Sequence, residues 1–396
     1  MSKKAIIFVC QRVPYPPDRG DRITTWNFVR HLSDKYDIHL FCLASEKKEL
    51  NKKSFLENYC KSVNIHYKSK WKSYLDIALT VLFSDKPLSN AFYFSKKIEA
   101  QINDLAKNEN IELAYVYSSN VFSHVFKLKT KKVFHLADVD SEKWKSLSRS
   151  GAFLARPLYY LEFLRLRKWE LECAKIATCS VLCTEKEKQL FSSAGASGDI
   201  YVIKNGVDTE YFRPDPEIKK EKAIIFTGVM DYFPNIDAVL YFHNEIFQKI
   251  KKEEPDVKFY IVGRNPNRQV KTLSRKDANC IVTGYVDDIR PLMNKSMVFV
   301  APIRVAQGIQ NKILEALSME LPVVTNSEIL HSLSAGEFGG LIVADTPEEM
   351  SRKVVELLRN AELRYKFSKS ARQAVLESYS WDRQLQELDK MLNSII

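Results

Sequence analysis

The stretch at 298–325 constrains the fold of this chain more than any other. Its sequence, VFVAPIRVAQGIQNKILEALSMELPVVT, begins with four apolar residues that stop at Pro302 and, after a loop, predicts a helix over 310–319. A second short apolar run at 322–325 follows the helix. Strand, loop, helix and strand in this order predict one crossover of a parallel α/β sheet. Three apolar residues share one face of the helix: Ile313, Leu314 and Leu317.

The loop within this stretch has two interpretations. Gly308 would let backbone N–H groups approach a ligand closely, and the N-terminus of the next helix adds partial positive charge. Together these features are typical of a diphosphate cradle, with Lys312 and Glu315 on the flank of the helix. An ordinary crossover with a solvated Lys and Glu has the same spacing, so the spacing alone leaves both interpretations open.

The sequence of the stretch resembles the nucleotide-sugar site of family 4 glycosyltransferases, which are retaining enzymes of the GT-B fold. Their signature is a Glu, seven residues and a second Glu, followed by A-x-A-x-G-x-P-V-V. Glu315 takes the place of the second Glu, whereas Gln307 stands at the first and Glu320 at the usual glycine. The segment APIRVAQGIQNKILEALSM is most similar to the sugar transferases associated with exosortase/PEP-CTERM loci.

Length and composition set the broad class. A chain of 396 residues with 45% hydrophobic residues fits two domains of ordinary size, each with its own core. Its seven cysteines include no C-x-x-C pair, which argues against a disulfide framework or a zinc site and predicts a reducing cytoplasm. The apolar run at 5–10 is only of strand length, and no run reaches transmembrane length, so we expect a soluble protein.

The N-terminal half begins as a doubly wound domain. Residues 3–10 predict a buried strand, 23–32 a helix and 37–43 a second strand. The connecting loop, QRVPYPPDRGDR, resembles the opening of the same transferases, where it lines the cleft between the domains. Its matching positions are Pro14, Pro16, Gly20 and Arg22. Arg19 and Arg22 could meet donor phosphate or an anionic acceptor, or they could simply be solvated.

Positive charge is concentrated in the first half. Residues 1–216 hold 35 Lys and Arg against 25 Asp and Glu, whereas the rest holds 25 against 24, so the halves carry +10 and +1 of the total +11. Such asymmetry indicates an anionic partner or a Lys-rich surface that serves solubility. The segment at 71–83, flanked by lysines, fits an interfacial membrane helix or a helix packed on its own domain.

Two further features of this half concern the acceptor. A strand predicted at 132–137 ends in ADVDSEKW, and the resemblance implies acceptor-side groups at this edge. His135 is expected inside the strand, so Asp138 is the candidate, unless it only caps the following helix. The helix predicted at 156–176 carries aromatics and a basic stripe, which single-stranded nucleic acid could use. No RNA-binding signature supports that, so we expect no nucleic-acid partner.

The second half repeats the α/β pattern after a polar linker at 214–222. Strands are predicted at 223–228, 256–262 and 280–283. The segments FTGVMDYFPNIDAV and FYIVGRNP resemble the same sugar transferases. Many members of the family carry an Arg and a Lys after the first of these strands, and both bind the donor diphosphate. This chain has Val229, Met230 and Asp231 and, near the helix start, Pro234 and Asn235. The substitutes expected from nearby strand ends are Arg264, Arg304 and Lys312.

The resemblance therefore implies a GT-B fold: two facing Rossmann-like, doubly wound α/β domains with a cleft between them. We predict an acceptor-side domain at 1–210, a nucleotide-sugar domain at 211–378 and a helix at 379–396 that returns to the first domain. The implied reaction is retaining transfer from a UDP- or GDP-sugar to a glycan or polyprenyl-linked acceptor in cell-surface polysaccharide synthesis. A peripheral position at the inner face of the plasma membrane would suit the basic first half. No metal is expected, on the interpretation that no Asp-x-Asp or His cluster occurs at a strand end.

The resemblance also assigns roles. Glu315 would accept hydrogen bonds from the ribose hydroxyls, Gln307 would touch the donor sugar, and the amides of Gly308 and Ile309 would bind the β-phosphate. Two alternatives remain: a nucleotide-sugar 2-epimerase of the same fold, or a non-catalytic, membrane-associated partner built on a decayed transferase. The candidate residues are Lys312, Arg304 and Asp138 for catalysis; Gln307, Gly308, Ile309, Glu315, Gly228, Arg264 and Tyr285 for the donor; and Arg19, Gly20 and Arg22 in the cleft loop.

Overall fold

The computed structural model of the chain describes residues 3–304, 310–333 and 338–396. These residues form two units. One reaches to Lys204 and includes Leu385–Ile396, and the other spans Asn205–Gln384. Each unit is built on one parallel sheet with helical connections. The predicted α/β class with two doubly wound units is therefore confirmed.

The first unit contains a seven-stranded sheet in which every neighbouring pair is parallel. Its central strands are apolar and buried along nearly their whole length, as expected where helices cover both faces. The strands are β1 (Lys4–Cys10), β2 (Tyr36–Ala44), β3 (Ser62–Tyr67), β4 (Ile111–Tyr117), β5 (Lys131–Ala137), β6 (Cys179–Leu182) and β7 (Asp199–Val202). The helices are α1 (Gly20–Ser33), α2 (Lys53–Leu56), α3 (Lys70–Phe83), α4 (Leu88–Tyr93), α5 (Lys96–Asn108), α6 (Asp140–Ser150), α7 (Arg156–Ile176) and α8 (Glu185–Ser193).

The strand order of this sheet, β3-β2-β1-β4-β5-β6-β7, reverses direction beside β1. The chain builds β2 and β3 on one side of β1 and then returns to place β4 on the other. The loops after β1 and β4 therefore diverge, which leaves a crevice at the carboxyl ends of these two strands. A short 3₁₀ turn, Ser119–His124, follows β4 at this edge.

The second unit repeats the design with six parallel strands in the order β10-β9-β8-β11-β12-β13. Its switch point lies between β8 and β11. The strands are β8 (Ala223–Thr227), β9 (Lys258–Val262), β10 (Cys280–Gly284), β11 (Val298–Ala301), β12 (Val323–Thr325) and β13 (Leu341–Val343). The helices are α9 (Phe233–Tyr241), α10 (Gln248–Glu253), α11 (Arg268–Lys276), α12 (Arg290–Lys295), α13 (Asn311–Ser318), α14 (Ser327–Leu333), α15 (Pro347–Arg359), α16 (Ala361–Ser378) and α17 (Trp381–Ile395).

Helix α17 crosses the division, since its residues from Leu385 onward belong to the first unit. There the carboxylate of Asp389 accepts hydrogen bonds from His31, at 3.0 Å, and from Lys35, at 2.5 Å, both on or next to α1. Burial by itself would raise the pKa of Asp389, but these two bonds outweigh it and lower the pKa below the ordinary value.

Candidate functional site

Two glycines bring the backbone together at the switch point of the second unit. Gly228 directly follows β8 with a φ of +158°, and Gly263 follows β9 with a φ of +154°. A Cβ atom at Gly263 would lie 1.7 Å from the carbonyl oxygen of Gly228. Only glycine fits that position, so the loops after β8 and β9 meet backbone to backbone at the carboxyl edge of the sheet.

Lys312 reaches this edge from the first turn of α13. Its ammonium donates a hydrogen bond to Oδ1 of Asn235, and Nδ2 of Asn235 donates to the carbonyl of Val229 at 2.9 Å. The same Nζ lies 4.6 Å from the ring centroid of Phe226 and would be 3.1 Å from a Cβ at Gly228. Gly228 thus leaves room for the ammonium, and Lys312 sits where β8 ends and α9 begins.

The electrostatics of this position are unusual because the half-buried ammonium has an amide oxygen and an aromatic ring as its neighbours. In the part of the chain that the structure describes, no carboxylate forms an ion pair with Lys312. Burial lowers the pKa of Lys312 to about 7, although the Glu315 carboxyl opposes the shift. Burial likewise raises the pKa of Glu315 to about 7, and Lys312 opposes that shift. A desolvated cation that titrates near neutrality is a feature of functional sites.

These two pKa values predict how nucleotide binding depends on pH. Above pH 7 the free Lys312 loses its proton, so a bound diphosphate must restore it, and affinity should fall by about tenfold per pH unit. Below pH 7 Glu315 is protonated and accepts ribose hydroxyls less well. We therefore expect the affinity for UDP or GDP, measured by calorimetry, to peak near pH 7.

Single variants separate the two limbs of that profile. Lys312→Met should abolish the alkaline fall and leave the acidic one, whereas Glu315→Gln should do the reverse. A profile whose alkaline limb is unchanged in Lys312→Met would show that another group carries the dependence.

Arg304 lies at the same sheet edge, just past β11, but it is already paired. Its Nη2 and Nε donate to the carboxylate of Asp237 at 2.5 and 3.0 Å, and its guanidinium lies 4.4 Å over the ring of Tyr241. A phosphate would have to compete with Asp237, so Lys312 is the better placed of the two cations. The role predicted for Arg304 at the leaving diphosphate stays a prediction.

The remaining donor-site predictions fall on nearby loops. Arg264 is partly exposed in the loop after β9, where its carbonyl accepts from the amide of Met230 at 2.9 Å. Tyr285 follows β10 and is 70% exposed, so its ring is available to a ligand. Gln307, Gly308 and Ile309, to which the sugar and β-phosphate contacts were assigned, lie outside the described residues.

The switch point of the first unit carries polar groups that the sequence patterns did not single out. Oε1 of Gln11, just after β1, accepts from Oγ of Ser118 at 3.0 Å and from Nδ2 of Asn120 at 3.3 Å. Arg12 forms an ion pair with Asp21 beside a cavity of about 20 Å³, which is room for one water. The rule that ligands bind at the carboxyl ends of parallel strands could have identified them, since Gln11 and Arg12 follow a buried strand.

The structure shows the surroundings of the residues that were predicted to lie in the cleft loop. Arg19 forms an ion pair with Asp21 at 2.8 Å, and Gly20 is the first residue of α1. Arg22 is only 9% exposed and is paired with Glu49 and Asp18, so it contributes to the packing of its own unit. A role of these residues toward an anionic ligand stays a prediction.

Asp138 follows β5, whose bounds place His135 inside the strand as expected. His135 is fully buried, its Nδ1 lies 2.8 Å from the Tyr115 hydroxyl, and burial lowers its pKa to about 3. Burial and the neighbouring Glu187 and Asp140 raise the pKa of Asp138 to about 7. The premise that no Asp-x-Asp occurs at a strand end was wrong, because Asp138 and Asp140 form one directly after β5. The described residues contain no group of three or more side chains placed to hold a metal ion.

The fold class follows from this architecture and from solved structures that share it. The structure of HepE from Anabaena in complex with UDP and glucose aligns with a TM-score of 0.64 at 14% identity, over 99% of this chain and 100% of that one. Sucrose-phosphate synthase from Thermosynechococcus elongatus aligns with a TM-score of 0.70 at 12% identity, over 99% of each chain. Identities this low show the fold alone: this chain has the GT-B fold of glycosyltransferases.

Sequence comparisons narrow the class further. Residues 221–360 match the family model of group 1 glycosyl transferases. An uncharacterized 44.6 kDa protein in the cps region of Klebsiella pneumoniae is 20% identical over 90% of this chain and 91% of its own length. The capsular polysaccharide biosynthesis glycosyltransferase CapM of Staphylococcus aureus is 23% identical over 53% of this chain and 60% of its own. Together these matches support a role in glycosyl transfer.

Proposed function

We propose that this chain is a retaining, family 4-like glycosyltransferase that moves a sugar from a UDP- or GDP-sugar to a glycan or lipid-linked acceptor in cell-surface polysaccharide synthesis. One observation carries the proposal: the desolvated Lys312 ammonium at the switch point of the unit that matches the group 1 model. The names of similar proteins add support, since HepE is described with UDP and with UDP-glucose and CapM with capsular polysaccharide.

Lys312 and Glu315 have separate roles in the proposed reaction. The bond between the anomeric carbon and the diphosphate oxygen breaks, the acceptor oxygen bonds to that carbon, and the proton of the acceptor hydroxyl passes to an oxygen of the departing diphosphate. Negative charge grows on the departing diphosphate, and the partly desolvated Lys312 would stabilise it. Glu315 would hold the ribose. No resident metal or cofactor is included in the proposal.

An acceptor-dependence experiment tests this function. Purified protein is incubated with UDP- and GDP-sugars, with and without lipid-linked and soluble glycan acceptors, and nucleoside diphosphate release is measured. We expect release above the background hydrolysis rate only when the matching acceptor is present. Isomerised nucleotide sugar formed without acceptor would instead support a 2-epimerase. Failure to bind any nucleotide sugar, UDP or GDP in calorimetry would support a non-catalytic partner.

The same proposal puts the chain in the cytoplasm, peripheral to an anionic membrane. All seven cysteines are free thiols, as a reducing compartment favours. Among the described residues, none of the helices is long and apolar enough to span a membrane. Association would therefore be interfacial and would depend on the surplus of 35 Lys and Arg over 25 Asp and Glu in residues 1–216.

A further inference from the structure

Helix α3 presents an apolar surface that its own unit does not cover. Along its 14 residues only Ser73 is buried, and the Ser73 hydroxyl donates to the carbonyl of Phe92 on α4. Trp71 is 80% exposed and Leu82 71%. These two residues and Leu75, itself 50% exposed, recur at the spacing of one helical face. A contiguous apolar face of this kind marks an interaction surface.

A cavity of about 940 Å³ lies beside this helix. The residues that line it come from the end of β3, from α3 and α4, from the start of α5, from the 3₁₀ turn after β4, from α7 and from the loops that flank α3 and α4. Because α3 follows β3 and the 3₁₀ turn follows β4, the cavity opens at the carboxyl edge of the first sheet. Its volume suits a small-molecule headgroup, since ligand pockets commonly enclose about 300–1,000 Å³.

The lining of this cavity is strongly basic. It holds five lysines and one acidic residue, Asp76. Asp76 pairs with Lys68 at 2.8 Å, and Lys68 also donates to the carbonyls of Ala91 and Phe94. None of the other four lysines forms an ion pair within the part of the chain that the structure describes. These four are Lys72, Lys86, Lys96 and Lys97.

Two buried polar groups in the lining also lack a hydrogen-bond partner. The Asn90 side chain is 4% exposed and its Oδ1 accepts no bond, and Oγ of Ser123 is likewise unpartnered. Both atoms are closed off from solvent, so a ligand with hydroxyl and phosphate oxygens would reach them only after a rotation of the side chain toward the cavity. It would then recover the about 1–3 kcal/mol that a buried polar group without a partner costs. Ser123 can donate to a phosphate oxygen, and Asn90 can accept from a hydroxyl.

We propose that this cavity binds the phosphate-bearing headgroup of a membrane lipid while the apolar face of α3 enters the bilayer interface. The unpaired lysines match the charge of the phosphate, and the exposed Trp71, Leu75 and Leu82 match the acyl region beside it. The inference rests on the proposed membrane association and adds a specific headgroup site to it. A lipid held there would lie at the same sheet edge as Gln11, Arg12 and Asp138.

Vesicle co-sedimentation of the full chain tests the proposal. Both sets of vesicles are made of phosphatidylcholine. One set contains phosphatidylglycerol as its anionic component, and the other contains oleate at the same surface charge. We expect tighter binding to phosphatidylglycerol. The variant Lys72→Gln/Lys97→Gln should lose about thirtyfold in affinity for those vesicles, since each lysine near the surface contributes about 1 kcal/mol. It should also lose the preference for phosphatidylglycerol over oleate.

Two further variants make the result specific. Lys127→Gln/Lys129→Gln removes the same charge from exposed positions just before β5, at the opposite sheet edge, and should stay within about threefold of the parent. Trp71→Ser/Leu82→Ser should weaken binding to both vesicle types.

The possible failures are distinguishable. Equal binding of the parent to both vesicle types, with both lysine pairs behaving alike, would overturn the headgroup site but leave general membrane association standing. No binding of the parent to either vesicle would overturn both. Neither result bears on glycosyl transfer, which nucleotide binding and acceptor-dependent release measure separately.

Discussion

Replacing Lys312 with Met should lower turnover by about 10²–10³-fold while donor affinity falls less. The leaving diphosphate gains charge in the transition state, so an ammonium already desolvated beside Asn235 and Phe226 acts more strongly there than in the ground state. A helix N-terminus supplies only about half a positive charge, which is too little to replace it. The measurement is turnover at saturating donor together with nucleotide affinity on the same protein.

The stability of this variant provides its own control. The folded pKa of Lys312 is lowered from 10.5 to about 7, so burial disfavours the charged form, and folding carries this cost increasingly as pH falls from 10.5 to 7. Methionine removes this cost, so the free energy of unfolding at neutral pH should not decrease. Lys276→Met, at the exposed end of α11, should leave turnover unchanged. Turnover of Lys312→Met within threefold of the parent would exclude the role and make Arg304 or Arg264 the next candidate.

The fold was predictable because parallel strands buried on both faces are near-continuous apolar runs. Strands β8 and β11 have this form, and the unit that contains them begins at Asn205. Strand β3 was not predictable from its sequence pattern. Its residues SVNIHY mix polar and apolar types because β3 is an edge strand, with only one residue fully buried. The helix after the first strand, predicted to begin at residue 23, begins at Gly20 as α1.

The candidate site was predictable in part. Spacing on a helix placed Lys312 and Glu315 on one flank of α13, and glycine after an apolar strand placed Gly228 at the sheet edge. The contacts that decide what these groups can do join residues far apart in sequence. Lys312 bonds to Asn235, and Arg304 is neutralised by Asp237, so no local pattern separates the available cation from the paired one.

Replacing Glu315 with Ala should weaken nucleotide binding by about 1.5–3 kcal/mol, which is the contribution of hydrogen bonds to a charged acceptor. Glu315 lies one turn after Lys312 on α13, and burial raises its pKa to about 7. Above that pH the carboxylate can accept from both ribose hydroxyls. The affinity for UDP and GDP, measured by calorimetry at pH 8, should therefore fall by about 10- to 150-fold.

A comparison of ribonucleotides with 2′-deoxyribonucleotides separates a contact to the ribose hydroxyls from a general electrostatic effect. If Glu315 binds the ribose hydroxyls, the parent should prefer UDP or GDP to the matching 2′-deoxynucleotide, and Glu315→Ala should lose that preference. Glu315→Gln keeps the shape and one acceptor oxygen, so its affinity should fall between parent and Ala variant. Glu362→Ala, an exposed carboxylate at the start of α16, should bind like the parent. If a folded Glu315→Ala protein still prefers the ribonucleotide, the carboxylate does not contact the ribose and acts instead through its charge, which raises the pKa of Lys312.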